Sequence, residues 1–323
     1  RGLKKQAELT GVVKVEFIGA VSKGLEGKEL AEMGDMAEAG VVAFSDDGHY
    51  VENAAFMRRA LEYSSMFNKM VIDHAEDITL TKNGHMHEGI VSYELGVIGR
   101  PAVAEDLAVA RDILLSEMTG GHIHIAHVSS KNTVDMVRRA KAKGLNVTCE
   151  VTSQHLSFTD EYLREYNPAF KMAPPIRSED HRQALLEGLK DGTIDAIITD
   201  HAPHAYEEKD HEFCCAPNGF SGLETSLAAV ITNAYGPDKL SIDQVVYYMS
   251  TRPAELMHLD AGVLEVGKPA DITVFSTTEK WTVDRNKFYT KGKVSPFDGM
   301  TVTGKAKLTV VDGKIVMKEG VVL

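Results

Sequence analysis

Residues 196–209 read AIITDHAPHAYEEK, and the role of Asp200 in this stretch decides the fold. Ala196–Thr199 has the composition of a buried strand. It ends on a carboxylate with imidazoles close behind at His201 and His204, where a turn would be the ordinary finish. Three more apolar runs end in the same manner. VVAFSDDG (41–48) ends in Asp46 and Asp47, MVIDHAED (70–77) reaches His74, and HIHIAHVSS (122–130) reaches His127. Such residues collect at one place when parallel strands share a mouth at their C-terminal ends.

The pattern around these runs predicts that arrangement. Strands are expected at Val13–Val21, Val41–Phe44, Met70–Asp73, Ile123–Val128, Asn146–Val151 and Ala196–Thr199. They are apolar on both faces, as parallel strands covered by helices are. Helical periodicity fills the intervals at Asn53–Phe67, Ala102–Met118, Asn132–Lys143 and Glu179–Lys190, with Gly144 and Gly192 placed to end the last two. Alternating βα units give either a doubly wound sheet or a (β/α)8 barrel. The first strand lacks a glycine-rich phosphate loop, and four strands end in ligand-type residues, so the TIM-type barrel is preferred. Six strands are readable, and the chain opens on RGLKKQAELTG, which resembles the end of an amphipathic helix. The expectation is therefore an α/β barrel incomplete at its N-terminus, by about two βα units.

After Leu256 the texture changes to short β-rich runs, GVLEVGKPADITVFSTTEKWTV (262–283) and KLTVVDGKIVMKEGVVL (307–323). Asp312-Gly313 within VDGKIV is a strong hairpin signal. The expected organisation is a barrel over residues 1–257 and part of a small β-domain over 258–323.

Composition narrows the function classes. The 323 residues are 43% hydrophobic with a formal charge of −12, which suits a large core and argues against nucleic acid as a partner. Three cysteines, Cys149, Cys214 and Cys215, make no disulfide framework and point to a reducing, cytoplasmic setting. No apolar run has the roughly 18 residues a membrane span needs, so no membrane partner is expected.

Two imidazoles and two carboxylates, from Asp47, His74, His127 and Asp200, form a donor set suited to Zn²⁺ or a similar divalent ion. A bound metal brings the pKa of its water down to about 7. A carboxylate beside it can take a proton and pass it on, and Asp200, closing the last strand, is the candidate. Each residue has a blander reading. A single strand-end histidine is more often structural, Asp46 can cap a turn, and Asp73 and Asp77 can be solvated or bonded to nearby backbone. His122 and His124 read as structural or surface, His85, His87 and His211 as loop residues open to solvent, and His181 as part of a charged helix face. The stretch from Glu208 to Gly222 reads as a long loop, either a cover over substrate or a mobile surface segment.

These residues, together with FSDDG (44–48), HIAHVSS (124–130), VTCEVTSQHLSFTDEYL (147–163), EEKD (207–210), NGFSGLET (218–225), SPFDG (295–299) and GKPADITVF (267–275), make the chain resemble the bacterial class I dihydroorotases of the amidohydrolase superfamily. The likeness runs along essentially the whole chain in order. It implies a (β/α)8 barrel with two zinc ions and the reversible closure of N-carbamoyl-L-aspartate to dihydroorotate in pyrimidine biosynthesis. It implies that Asp47 bridges the metals, that His74 and His127 bind the second, and that Asp200 is ligand and general acid/base. His204 and the turn at Pro217, Asn218 and Gly219 would contact substrate. A homodimer, and association with a transcarbamoylase, would be in keeping with such relatives. The family's first-strand His-x-His pair and its nearby Arg and Asn have no counterpart here. Ala173 stands where many relatives have Asn, and Gln154 where others have His, which bears on substrate contact. Two other readings remain open. One is a hydantoinase, dihydropyrimidinase or allantoinase, whose metals are bridged by a carboxylated lysine where this chain has Asp47. The other is a non-catalytic scaffold subunit, which would be expected to lose ligands that this chain keeps.

Overall fold

The structure is a computed structural model and describes residues 2–323. In chain order its strands are β1 (Ile18–Gly19), β2 (Ala43–Ser45), β3 (Val71–Asp73), a short ribbon of β4 (Met86–His87) and β5 (Gly99–Arg100), then β6 (Ile123–Ile125), β7 (Val147–Thr152) and β8 (Ala196–Ile198). The last part of the chain supplies β9 (Ile272–Thr282), β10 (Thr301–Val311), β11 (Lys314–Lys318) and β12 (Val321–Val322). Six strands make one parallel sheet in the order β1-β2-β3-β6-β7-β8. Neighbours in space are neighbours in sequence, with helices between them, as in the curled sheet of a TIM-type barrel.

The connecting helices form where the periodicity placed them. Ala54–Ser65 starts at Asn53, whose side chain accepts from Phe56 N at 3.0 Å. It buries Phe56, Met57, Ala60 and Leu61 on one face, each large side chain contributing about 1.5–3 kcal/mol when removed from water. Lys131–Ala142 is capped by Ser130 and Glu179–Lys190 follows Ser178. Gly144 and Gly192 follow these helices with φ of +74° and +78°, the left-handed exit that glycine takes without strain. Inside the last helix, Gly188 lets Val134 and Ile194 approach within 3.1 Å of where a Cβ would stand.

Two strands are shorter than their apolar runs predict: the one expected at Ile123–Val128 stops at Ile125, and the first is reduced further. Within Val13–Val21 only Ile18 and Gly19 pair, with Ala43 and Phe44. Val12, Val13 and Val15 are exposed, and Lys14 between them reaches Asp271 and Asp312 at 2.7 Å each. A strand exists only where a partner strand is in register, and apolar composition alone does not supply one.

The C-terminal strands form an antiparallel sheet in the order β12-β11-β10-β9. Its β10–β11 hairpin turns at Asp312 (φ +48°) and Gly313 (φ +77°), the two left-handed positions that an Asp-Gly turn provides. The helix Ser226–Asn233 lies against β10, and Gly304 there lets Ile231 come within 3.0 Å of a would-be Cβ. Val283, Phe288, Phe297 and Val302 pack in one cluster with Phe158, Phe170 and Phe220, which closes apolar contacts between this sheet's surroundings and the barrel's later loops. Among the described residues, no helix is long and apolar enough to cross a membrane.

Candidate metal centre

His74 directly follows the end of β3, and Asp47 and His127 stand two residues past the ends of β2 and β6. Register explains their meeting. Phe44 pairs with Val71 and Asp73 with Ile125, and Ala126 N–H donates to the Asp73 carbonyl at 3.1 Å. The next residues of each strand therefore emerge at the same level. Local ties then aim them. Asp47 N–H donates to Ser45 Oγ at 2.9 Å. Asp46, far from merely capping a turn, is buried and accepts from Val21 N (2.8 Å), Ser22 N (3.0 Å) and the Ser22 hydroxyl, tying the end of β2 to the chain leaving β1. Buried Glu105 accepts from Ser129 N (3.0 Å) and Ser130 N (2.9 Å) just after His127, and is itself paired with Arg177. His127 has φ +32° and Asp200 φ +42°. Left-handed backbone at a non-glycine residue is strained, and it is maintained where the surroundings fix it and a side chain must be aimed.

The resulting triangle is tight. His74 Nδ1 lies 2.9 Å from His127 Nε2, and the Asp47 carboxylate is 3.5 Å and 3.4 Å from these two nitrogens. Three ligand atoms bound to zinc at its usual 2.0–2.1 Å in a tetrahedral arrangement stand about 3.3 Å apart. The spacing and the N,N,O donor set thus fit a divalent ion, and among the described residues these three are the group with that convergence. Electrostatics agree. Burial opposes the charge on Asp47, but hydrogen bonds from His127 and His74 outweigh it and hold this carboxyl well below the usual carboxylate range. Burial likewise opposes the charge on His127, but the Asp47 hydrogen bond and the charges of Asp200 and Asp47 push its pKa up to about 9. The site concentrates negative potential on its imidazoles, as a cation site does.

Asp200 is not part of the triangle. It lines the same cavity as Asp47 and His127, together with Ile72 and Ile198. Burial raises its pKa above the ordinary value, with Asp47 adding to the rise and His127 and His74 opposing it. A carboxyl whose pKa is raised holds a proton more readily than a solvated one, which is what a general acid/base needs. The predicted substrate contacts form a second group. His204 Nε2 is 2.8 Å from the Asn218 carbonyl and its Nδ1 3.2 Å from Glu208. Gly219, with φ +108°, lies so close to Ala202 that a Cβ would stand 2.7 Å from its carbonyl oxygen.

Several sequence expectations are corrected. His87 is buried on β4, its Nδ1 3.3 Å from Arg177. His181 is buried too, its Nδ1 accepting from Lys131 N at 3.0 Å. Asp73 is buried against Arg111 at 3.3 Å and is not solvated. Other residues went unflagged in the sequence. Glu150 on β7 lines the metal cavity and lies 3.1 Å from His124 Nε2, close enough for charge attraction but not aligned as a hydrogen bond. A lone charge inside the strand VTCEVT was the signal. His201 accepts from Gly222 N (3.1 Å) and Leu223 N (3.3 Å), a structural brace for the long loop.

Comparison with known proteins places this geometry in context. The model of the Amidohydrolase family matches residues 14–316. Dihydroorotase from Syntrophus aciditrophicus (strain SB) is 47% identical over 315 residues, covering 98% of this chain and 74% of that protein. Dihydroorotase from Pelotomaculum thermopropionicum is 48% identical over 318 residues, covering 98% and 74%. Among solved structures, L-hydantoinase (dihydropyrimidinase) from Arthrobacter aurescens superposes with a TM-score of 0.85 at 29% identity, covering 99% of this chain and 74% of that one. Dihydropyrimidinase from Brevibacillus agri NCHU1002 gives 0.81 at 22% identity, covering 95% and 70%, a likeness of fold.

Proposed function

The chain belongs to the amidohydrolase family, and from that membership we propose that it is a dihydroorotase, interconverting N-carbamoyl-L-aspartate and dihydroorotate. It is a metal-dependent cyclic amidohydrolase. The observation that carries the choice of substrate is the identity of 43–48% to dihydroorotases over nearly the whole chain. Hydantoinases are the structural neighbours, at 29% identity or less. Asp47 in FSDDG, the carboxylate that the resemblance to dihydroorotases implies at this position, favours the same side.

Asp47, His74 and His127 would hold the metal, with Asp200 in the same cavity read as a further ligand, and zinc is the proposed identity on this nitrogen and oxygen donor set. When bound, the metal supplies Lewis-acid polarisation of the ring amide carbonyl and a water of lowered pKa. The protein's residues do the rest. Asp200 takes the proton of the attacking water and delivers it to the ring nitrogen as the C–N bond breaks, a role supported by its elevated pKa and its place in the cavity. In the synthetic direction the same carboxylate takes the proton from the ureido nitrogen as the C–N bond forms and passes it to the hydroxyl of the substrate's carboxyl group, which leaves as water. His204 and the Pro217–Gly219 turn are read as substrate contacts. A cytoplasmic setting is in keeping with three free cysteines, Cys149 buried and Cys214 and Cys215 exposed.

Replacing Asp200 by Asn tests the reading. Turnover of dihydroorotate should fall about a thousandfold, the middle of the range for a general acid/base, with far-UV circular dichroism and melting unchanged. Near-normal turnover would remove Asp200 from the mechanism.

A further inference from the structure

The long stretch after β8 is built around two buried lysines that the chemistry above does not use. Lys209 lies in the short helix Tyr206–Lys209, yet it is 3% exposed while Glu207, Glu208 and Asp210 around it face solvent. Lys171, more than thirty residues upstream, is 4% exposed. Their ammonium groups enter the same loop from two sides. Lys171 Nζ donates to the carbonyls of Phe213 (2.8 Å), Cys214 (3.0 Å) and Ala216 (2.6 Å). Lys209 Nζ donates to the Pro217 carbonyl at 2.8 Å and to the Lys171 carbonyl at 3.4 Å. The Gly219 N–H donates to that same Lys171 carbonyl at 2.9 Å. His85 Nδ1 stands 3.4 Å from Lys171 Nζ, and the Phe213 ring lies 5.4 Å from it.

Among the described residues, no carboxylate partners either ammonium. Burying a charge without a counter-charge is costly unless aligned dipoles replace its water. Here four carbonyls of one loop turn their oxygens inward to do so. The loop backbone is consequently shaped by the lysines rather than merely fastened by them. The ties converge on the turn Pro217–Gly219, and this turn is what meets His204. Its Asn218 carbonyl is 2.8 Å from His204 Nε2. Glu208, the neighbour of Lys209, lies 3.2 Å from His204 Nδ1 and accepts from Ala205 N at 3.0 Å. Adjacent residues of one helical turn thus reach both sides of the imidazole, Glu208 directly and Lys209 through the turn.

We propose that Lys171 and Lys209 are positioning residues of the reaction, setting the Pro217–Gly219 turn and through it the His204 imidazole against the substrate. The proposal rests on the reading of His204 and that turn as substrate contacts. It assigns the lysines no contact with the reacting atoms.

The experiment compares Lys209→Met, which keeps length and removes every donor, Lys209→Arg, which keeps a cation, and Lys171→Met with the metal-loaded protein. It reads KM and kcat for dihydroorotate, bound zinc, and the rate of proteolytic cleavage within residues 205–219. Lys209→Met should raise KM about tenfold or more, the value of one charged hydrogen bond that positions substrate, with a smaller change in kcat. Cleavage of the loop should accelerate, zinc content should stay at the parent value, and Lys209→Arg should recover most of the loss. A KM within about twofold of the parent overturns the proposal, as does a fall in melting temperature with no KM change, which would mark a purely structural tie. Where Lys209→Met does not fold, Lys209→Gln retains one donor and is judged on the same KM and cleavage criteria. Cleavage needs no substrate, so a parent protein inactive on dihydroorotate would defeat the functional reading alone. The cleavage rates would still decide whether the lysines shape the loop.

Discussion

Two regions beyond the ends of the parallel strands treat charge in opposite ways. At the ends of β2, β3 and β6, Asp47, His74 and His127 bring three lone-pair donors within 3.5 Å of one another. In the loop after β8, carbonyl oxygens gather around cations that belong to the chain, Lys171 and Lys209. The first arrangement is a preformed ligand set, tied from behind by Asp46 and Glu105. The second carries its own cations and makes a scaffold. A barrel strand can aim a ligand because its end is fixed by the sheet. A long loop has no such frame, so its shape must come from interactions that reach across it.

If that contrast is right, perturbing each region should fail in a different observable. The largest effect belongs to Asp200, whose replacement by Asn should cost about a thousandfold in kcat, with the fold spared. Next comes the support behind the ligand set. Asp46→Ala orphans three buried donors, two backbone N–H groups and the Ser22 hydroxyl, and should lower unfolding free energy by about 3 kcal/mol. Urea denaturation measures this, and a loss below 0.5 kcal/mol would mean that the strand ends do not depend on it. Removing a ligand is expected to act on the metal rather than the loop. His127→Ala should weaken zinc affinity by at least about 100-fold in a competitive chelator titration, while cleavage within residues 205–219 stays at the parent rate. The Lys209 variants should show the reverse, and coincident loss of metal and loop order in both would abolish the distinction.

The smallest effect is a pH dependence that separates the two states of the ligand set. In chelated protein the folded-state pKa of His127 stands at about 9 against an ordinary 6.5. A raised histidine pKa gives stability that is complete below pH 6.5 and is lost as pH climbs through 9. The melting temperature of chelated protein should therefore decline across that window. Metal binding needs neutral imidazole and displaces protons, so added zinc should weaken or reverse the decline. A flat profile in chelated protein would show that His127 and Asp47 are not engaged as described.

The contrast also explains what the sequence made legible. The barrel strands and the Glu179–Lys190 helix lie within a residue or two of their expected places, apart from the first strand and the strand expected at Ile123–Val128, which stops at Ile125, because hydrophobic runs and glycine exits are local signals. Asp47, His74 and His127 were readable because each stands near the end of an apolar run. Their left-handed backbone at His127 and the anchoring by Asp46 and Glu105 were not, since they depend on partners 24 or 25 residues away. The loop was least legible. Lys209 sits in EEKD, which reads as a solvated charge run, and nothing local tells that one member turns inward to meet carbonyls beside Lys171. His87 and His181 misled in the same way, as polar-looking surroundings hid burial supplied by distant Arg177 and Lys131.

The central claim is that this ligand set serves the hydrolysis and closure of dihydroorotate rather than of a hydantoin. The most direct test measures kcat/KM of the zinc-loaded protein on dihydroorotate and on hydantoin, before chelation and after chelation and restoration of zinc. The account predicts a strong preference for dihydroorotate, lost on chelation and regained with zinc. Equal or faster hydrolysis of hydantoin, or turnover of dihydroorotate that survives removal of the metal, would contradict it.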